Sequence, residues 1–346
     1  MRGWQRVAAV VVVAAAIGGG VYAWGEGALL PCGPVDRVLH TSACRIVAVL
    51  DDQVLAALSP APDGTLLGVV QQPGLAKEAT RPQELLRIDP ATGAVTSRIP
   101  LPDVPKDASW LGLAVSPSGN LVAGGFFEGP IQVIDGRTGA TLSRIQRGAT
   151  GLAFVAEDRI MIDMGWGSFW EGSGETAVLS VADGSETAAV PVPGSLRSSG
   201  VSAAISPDGE MAAEHVETRG DSGMIAIRLA DNARRSLSGR LLVGALSAWR
   251  GNSGHLIPLL AFSPDGRSLA ASFDDPDVWG KETAALFIWD VADGRLLRRV
   301  PTRSQWRDLV WSADSRSLLA TRYTPDTYTG QVKTGVSELA RIDLDD

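Results

Sequence analysis

The chain offers few residues for catalysis or metal binding. Its three histidines, His40, His215 and His255, have no partner at metal-ligand spacing, so each reads as a solvated or core imidazole. No G-x-S-x-G elbow, H-E-x-x-H pair or P-loop occurs. The run Asp274-Asp275-Pro276-Asp277 could present carboxylates to a hard cation such as calcium. It lacks the regular spacing and terminal glutamate of an EF-hand, so a solvated acidic loop is the simpler reading. Cys32 and Cys44 lie close in sequence. In an oxidising compartment such a pair forms a disulfide; the alternative is two buried thiols. Neither C-x-x-C nor C-x-x-C-H is present, so thioredoxin-type redox work and haem attachment find no support. No motif implies a cofactor.

Binding chemistry is better represented. Trp166, Phe169 and Trp170 crowd into "MGWGSFWEGSG", Trp279 sits in "DDPDVWGKET", Trp249 precedes a glycine-rich stretch, and Tyr323 and Tyr328 fall close together near the C-terminus. Aromatic side chains of this kind supply large contact area at low entropic cost. They could equally plug loops onto the scaffold beneath them. The elements that hold them decide between these uses.

Bulk composition narrows the setting. Hydrophobic residues make up 45% of the 346 residues, enough for a large core, and the formal net charge is −8. That charge disfavours a sequence-independent grip on nucleic acid phosphates. The N-terminus reads "MRGWQRVAAVVVVAAAIGGGVYAWGEG", a basic head followed by an uncharged run from Val7 to Gly25. A run of this kind can just span a bilayer, with residues 7–24 in the membrane and Trp4 and Trp24 at its interfaces. Arg2 and Arg6 would keep the N-terminus cytoplasmic. A cleaved signal peptide with Val21-Tyr22-Ala23 as its cleavage site is the rival reading. Both readings export the rest. The Ala/Val-rich run without organelle signals looks bacterial, so the compartment would be the periplasm; the expected segments are an anchor or signal (1–25), a linker (26–43) and the exported domain (44–346).

That domain repeats itself. Ser-Pro-Asp-Gly is complete at Ser206–Gly209 and Ser263–Gly266. Altered copies occur at Ser59–Gly64, Ser116–Gly119 and Ser312–Ser315, and a weaker one at Val155–Asp158. Proline presets the first turn position, aspartate folds onto the backbone and glycine takes the positive φ. A second turn family interleaves: Asp89–Gly93, Asp135–Gly139, Asp183-Gly184, Asp231-Asn232 and Asp293-Gly294. Each unit of about 50 residues therefore holds four short strands, a to d, with polarity rising outward, the pattern of a β-propeller blade. The expected fold class is all-β: a six-bladed propeller of four-stranded blades. The last unit lacks strand d, and the orphan "CRIVAVL", Cys44 to Leu50, should supply it by pairing with Ser337 to Leu344.

The turns and strand texture resemble WD40-like and TolB-like "SPDG" propellers and the YVTN-type repeats with "D-x-x-T-G" turns. The resemblance spans about residues 44 to 346 and implies a propeller; it says little about function. The Trp-Asp dipeptide occurs in place only at Trp289-Asp290, the Gly-His motif of true WD40 repeats is missing, and the segment before Cys44 is too short for a TolB-type N-terminal domain. Six-bladed propellers include lactonase-like hydrolases with a carboxylate-bound metal over the channel. Among the inner-strand starts only Asp308 fits such a role.

Alternating strand direction puts the tight a–b and c–d turns on one face and the long connections on the other. Those long connections include 71–83, 164–175, 215–223, 274–283 and 323–334 between strands b and c, and 240–255 between d and a. They carry the aromatic residues. Loops on a rigid scaffold are where binding resides, so the expected function is a membrane-anchored periplasmic scaffold. It would bind an envelope protein or ligand through Trp166, Phe169, Trp170, Trp249, Trp279, Tyr323 and Tyr328. The alternative is a lactonase-like metal-dependent hydrolase or a quinoprotein-like propeller enzyme.

Overall fold

The computed structural model describes residues 44–50, 53–71, 82–105, 110–126, 129–149, 151–163, 176–189, 203–208, 210–218, 221–228, 233–241, 259–276, 282–302, 306, 308–323 and 337–344. These residues form a β-propeller. Its first blade is β2 (Val54–Pro60), β3 (Leu66–Gln71), β4 (Gln83–Ile88) and β5 (Val95–Leu101). The second is β6 (Trp110–Val115), β7 (Leu121–Phe126), β8 (Ile131–Asp135) and β9 (Thr141–Ile145). The third is β10 (Gly151–Ala156), β11 (Arg159–Asp163), β12 (Thr176–Ser180) and β13 (Glu186–Ala189). The fourth comprises β14 (Ala203–Ile205), β15 (Met211–Thr218), β16 (Asp221–Arg228) and β17 (Ala233–Leu241). The fifth comprises β18 (Leu259–Phe262), β19 (Ser268–Pro276), β20 (Glu282–Asp290) and β21 (Leu296–Thr302). Each is an antiparallel sheet of consecutive strands. The last unit supplies only β22 (Asp308–Trp311), β23 (Ser317–Tyr323) and β24 (Ser337–Asp343); its fourth strand is β1 (Cys44–Leu50).

The expected fold class is corrected on two counts. Counted as self-contained blades of consecutive strands, the propeller has five, not the six expected. The remaining four-stranded sheet is a composite, ordered β1-β24-β23-β22, because the last unit leaves the outer edge of β24 without a strand of its own. Cys44 lies opposite Ile342 and Leu50 opposite Ser337, the pairing anticipated from the sequence. Secondly, no N-terminal helix is part of the described fold, whose first element is β1; residues 1–43, with the expected anchor and linker, lie outside the described residues. Among the described residues no helix is long and apolar enough to cross a membrane.

The turn motifs form because their side chains replace missing backbone partners. At the Ser263 turn, the serine Oγ donates to Asp265 Oδ1 at 2.6 Å and accepts from Ser268 N at 2.9 Å. The aspartate also accepts from Arg267 N at 3.1 Å, so one carboxylate and one hydroxyl close the hairpin. The Ser206 and Ser312 turns repeat the arrangement. The first copy is shifted. Ala61, not Ser59, opens the turn, and Thr65 supplies the hydroxyl to Asp63 at 2.6 Å. Both turn families occupy one face: Gly136 N bonds Asn120 O at 2.7 Å, Val291 N bonds Arg267 O at 2.9 Å, and Leu344 N bonds Arg316 O at 3.0 Å.

The core is distributed between sheet faces. Leu55, Leu58, Leu66 and Leu86 of the first blade pack against Val310, Leu319 and Leu339 of the composite sheet. Comparable apolar layers join first to second, second to third, fourth to fifth, and fifth to composite sheets. Each fully buried leucine contributes roughly 1.5–3 kcal/mol. Middle strands such as β7 and β8 are buried almost throughout, inner strands such as β10 and β18 are partly exposed, and outer strands such as β9 alternate, leaving Leu142 exposed.

Outer strands are also latched to the next sheet round the ring. Arg45 donates to Ala91 O at 3.2 Å, Ser143 Oγ to Val181 O at 2.6 Å, Arg235 to Val291 O at 3.2 Å and Arg298 to Leu344 O at 2.7 Å. In every case a side chain of the outer strand reaches the end of the third strand of the following sheet. Gly93 shows why a glycine belongs there: it has φ +71°, and an added Cβ would lie 2.1 Å from Val47 O of β1.

Two sequence-expected loops are strand instead. His215–Gly223 lies largely in β15 and β16, paired out to Thr218 opposite Asp221. Asp274 and Asp275 pair with Ala284 and Thr283 in the β19–β20 ladder. Neighbouring residues satisfy the backbone there, so the ladder continues past the last apolar position.

The latch makes a prediction. Gly93→Ala combines a left-handed φ with collision against a backbone carbonyl, and should destabilise the domain by about 2–4 kcal/mol. Gly64 has a similar φ of +82° but nothing within 4 Å of an added Cβ. Gly64→Ala should therefore cost only about 1 kcal/mol. Urea unfolding of both variants tests the difference; equal losses would show that the latch contributes nothing.

Candidate functional site

The expected aromatic cluster cannot be assembled from the described residues. Trp166, Phe169, Trp170, Trp249, Trp279 and Tyr328 lie outside them, and Tyr323 is described only as backbone, opposite Ser337 at the end of β23. What is described is the frame around them. The segments carrying these residues join strand ends on the face opposite the tight turns, at Asp163 and Thr176, Leu241 and Leu259, Pro276 and Glu282, and Tyr323 and Ser337.

The tight-turn face is fully visible between the first and second blades, where a cavity of about 400 Å³ is lined by Asp63, Arg87, Ser118, Gly119, Asn120 and Arg137. Asp63, in the β2–β3 turn, and Arg87, on β4, form an ion pair at 3.0 Å. The Thr65 hydroxyl, with help from the Thr65 amide and Arg87, holds the Asp63 carboxyl below its usual range. On the other wall Ser118 donates to Glu157 Oε1 at 2.6 Å, and Ser118 N donates to Oε2 at 3.1 Å. Glu157 belongs to the weak third copy of the turn. It supplies to the preceding blade the carboxylate that Ser116-Pro117-Ser118-Gly119 lacks, and Ser118 keeps it ionised below the usual carboxylate range. None of these side chains was singled out from the sequence. The only available signal was Glu157 standing near the place where other copies carry aspartate.

Asp308, the one inner-strand carboxylate suggested for metal chemistry, has another role. Its Oδ2 accepts from Leu58 N of the first blade at 2.5 Å and its Oδ1 from Leu309 N at 2.8 Å. Ser337 makes a parallel stitch, donating to Gln53 O at 3.0 Å and accepting from Leu55 N at 2.9 Å. Both residues sew the composite sheet to the first blade. Burial pushes the Asp308 carboxyl up to about 6, against the opposing effect of the two amide donors. Thr321 stands directly across the ladder, its buried hydroxyl without a hydrogen-bond partner. Among the described residues no group of three or more His, Cys, Asp or Glu could hold a metal ion. Cys44 is buried at the seam, and no described cysteine is free; Cys32, its expected partner, lies outside the described residues.

No family model matches the chain, and no curated protein matches it. Among solved structures it is similar to Kuenenia stuttgartiensis hydrazine synthase, with 16% identity, a TM-score of 0.48, and coverage of 81% of this chain and 79% of that one.

Asp308 generates a pH prediction. Its folded-state pKa of about 6 exceeds the ordinary 3.8. The folded protein therefore keeps a proton that the unfolded chain releases between about pH 4 and 6. The contribution of Asp308 to stability thus falls across that window by about 3 kcal/mol and is constant above it. Asp308→Asn keeps an acceptor for Leu58 N and carries no charge. It should raise stability at pH 7, with the gain shrinking toward pH 4. Urea denaturation at pH 4.5, 5.5 and 7 measures this; a pH-independent difference would mean that the carboxylate is well solvated.

Proposed function

We propose that this chain is a binding scaffold of the bacterial envelope, with the propeller in the periplasm and residues 7–24 serving as membrane anchor or cleaved signal. The observation that carries the reading is the division of the ring into two unlike faces. On one, the turns are closed by their own hydrogen bonds. On the other, the strand ends lead into the connections that bear the tryptophans and tyrosines. A stiff frame that holds aromatic loops on one side lowers the entropic cost of binding.

The direction of β1 orients the proposal. Cys44 pairs with Ile342 beside the tight turns, so β1 enters from that face. The linker 26–43 would leave toward the membrane from there, and the aromatic connections would open away from it. A disulfide between Cys32 and Cys44 would shorten the tether. The metal-dependent hydrolase reading needs a ligand other than Asp308, whose carboxylate oxygens are engaged by backbone amides.

Replacing Trp166, Trp170, Trp279 and Tyr328 together with alanine should abolish cross-linking to the envelope partner. Thermal unfolding should stay nearly unchanged. Photo-cross-linking in the envelope followed by mass spectrometry reads the result; undiminished capture by the quadruple variant would show that partners use another face. Protein isolated from the envelope should also resist thiol alkylation at Cys32 and Cys44 until it is reduced. Modification of both thiols without reduction would refute the tether's cross-link.

A further inference from the structure

The cavity between the first two blades has a charge pattern that the fold does not use. Arg87 is neutralised: it is held by Asp63 at 3.0 Å and by the Thr65 hydroxyl at 3.3 Å. Asp63 in turn has one oxygen on Thr65 and the other on Arg87. Arg137 is different. Its guanidinium has no hydrogen bond or ion pair among the described residues. Asp135, the carboxylate on its own turn, is occupied by the amides of Arg137 and Thr138 and by the Thr138 hydroxyl. Arg137 is thus the one lining guanidinium not committed to a bond: Arg87 is paired with Asp63, Glu157 is held by Ser118, and Asp135 acts on Arg137 only through space.

We propose that this cavity binds a single carboxylate, with Arg137 as its principal contact. A guanidinium fork matches the two oxygens of a planar carboxylate. A single uncommitted guanidinium suits a monoanion, and Asp63, Asp135 and Glu157 around it oppose a phosphate dianion. Asn120 adds a second contact: its amide nitrogen donates to Ser118 Oγ at 2.9 Å, which leaves its oxygen to accept an N–H from the ligand. A carboxylate next to an amide N–H is the chemistry of a peptide C-terminus. The wall is already organised, because the Thr65–Asp63–Arg87 and Ser118–Glu157 bonds fix it before any ligand arrives. The site lies on the face opposite the aromatic connections and does not depend on their role.

The test uses side-chain spectra of the full chain labelled with ¹⁵N-arginine, following the Nε–H signals of Arg137 and Arg87. Acetyl-triglycine, its C-terminal amide, sodium acetate and inorganic phosphate are the probes. Acetyl-triglycine should give saturable shifts at both arginines, and its amide none. In Arg137→Gln, followed at Arg87, the affinity should fall about tenfold or more. Arg137→Lys, which keeps the charge but loses the fork, should fall between. Binding of acetyl-triglycine tighter than acetate identifies a peptide C-terminus, and equal binding a small carboxylate; either supports the site. The proposal is overturned by absence of saturable shifts, by equal binding of the amide, by tighter binding of phosphate, or by unchanged affinity in a folded Arg137→Gln protein.

Discussion

The open edge of β24 is the constraint on which the ring depends. An uncovered strand edge carries unpaired amides and carbonyls, and a ring interrupted there would expose a second sheet face as well. The chain covers it with β1, which comes from the far end of the sequence. The same seam then receives stitches that cross almost the whole chain, from Asp308 to Leu58 and from Ser337 to Gln53 and Leu55. The apolar layer that unites the first blade with the composite sheet forms only once these partners meet.

Elsewhere the fold is repetitive and local. Most described hairpins are closed by a serine, threonine or aspartate acting on its own backbone, and four of the sheets are tied to the next by an outer-strand side chain reaching a carbonyl. The polar groups of the tight-turn face are thus mostly committed to structure. Asp308 illustrates the consequence. Its position on an inner strand invites a catalytic reading, but its oxygens hold the seam together, and its raised pKa comes from burial.

Much of this architecture was legible beforehand. The bounds of β1, Cys44–Leu50, match the sequence reading because apolar residues and flanking polar ones bracket it tightly. β19 and β20 extend beyond it because Asp274 and Asp275 carry no apolar signal; only the continuing ladder keeps them in strand. The first turn occupies only the last four residues of the Ser59–Gly64 copy, since Ser59-Pro60 imitates the motif that Ala61-Pro62-Asp63-Gly64 performs. A glycine at the correct spacing was the better guide.

The sequence by itself determined the strands, their turns, the rising polarity from inner to outer strands, and the need for a borrowed strand. These follow from local backbone preferences and from alternation along each strand, which act over a few residues. Only the tertiary structure decided that the repeats make five self-contained blades and a composite sheet. It alone brought Glu157 to Ser118 and Asp308 to Leu58. Those meetings arise when sheets pack face to face round a ring, which sets side chains dozens to hundreds of residues apart against one another, and no local pattern encodes them.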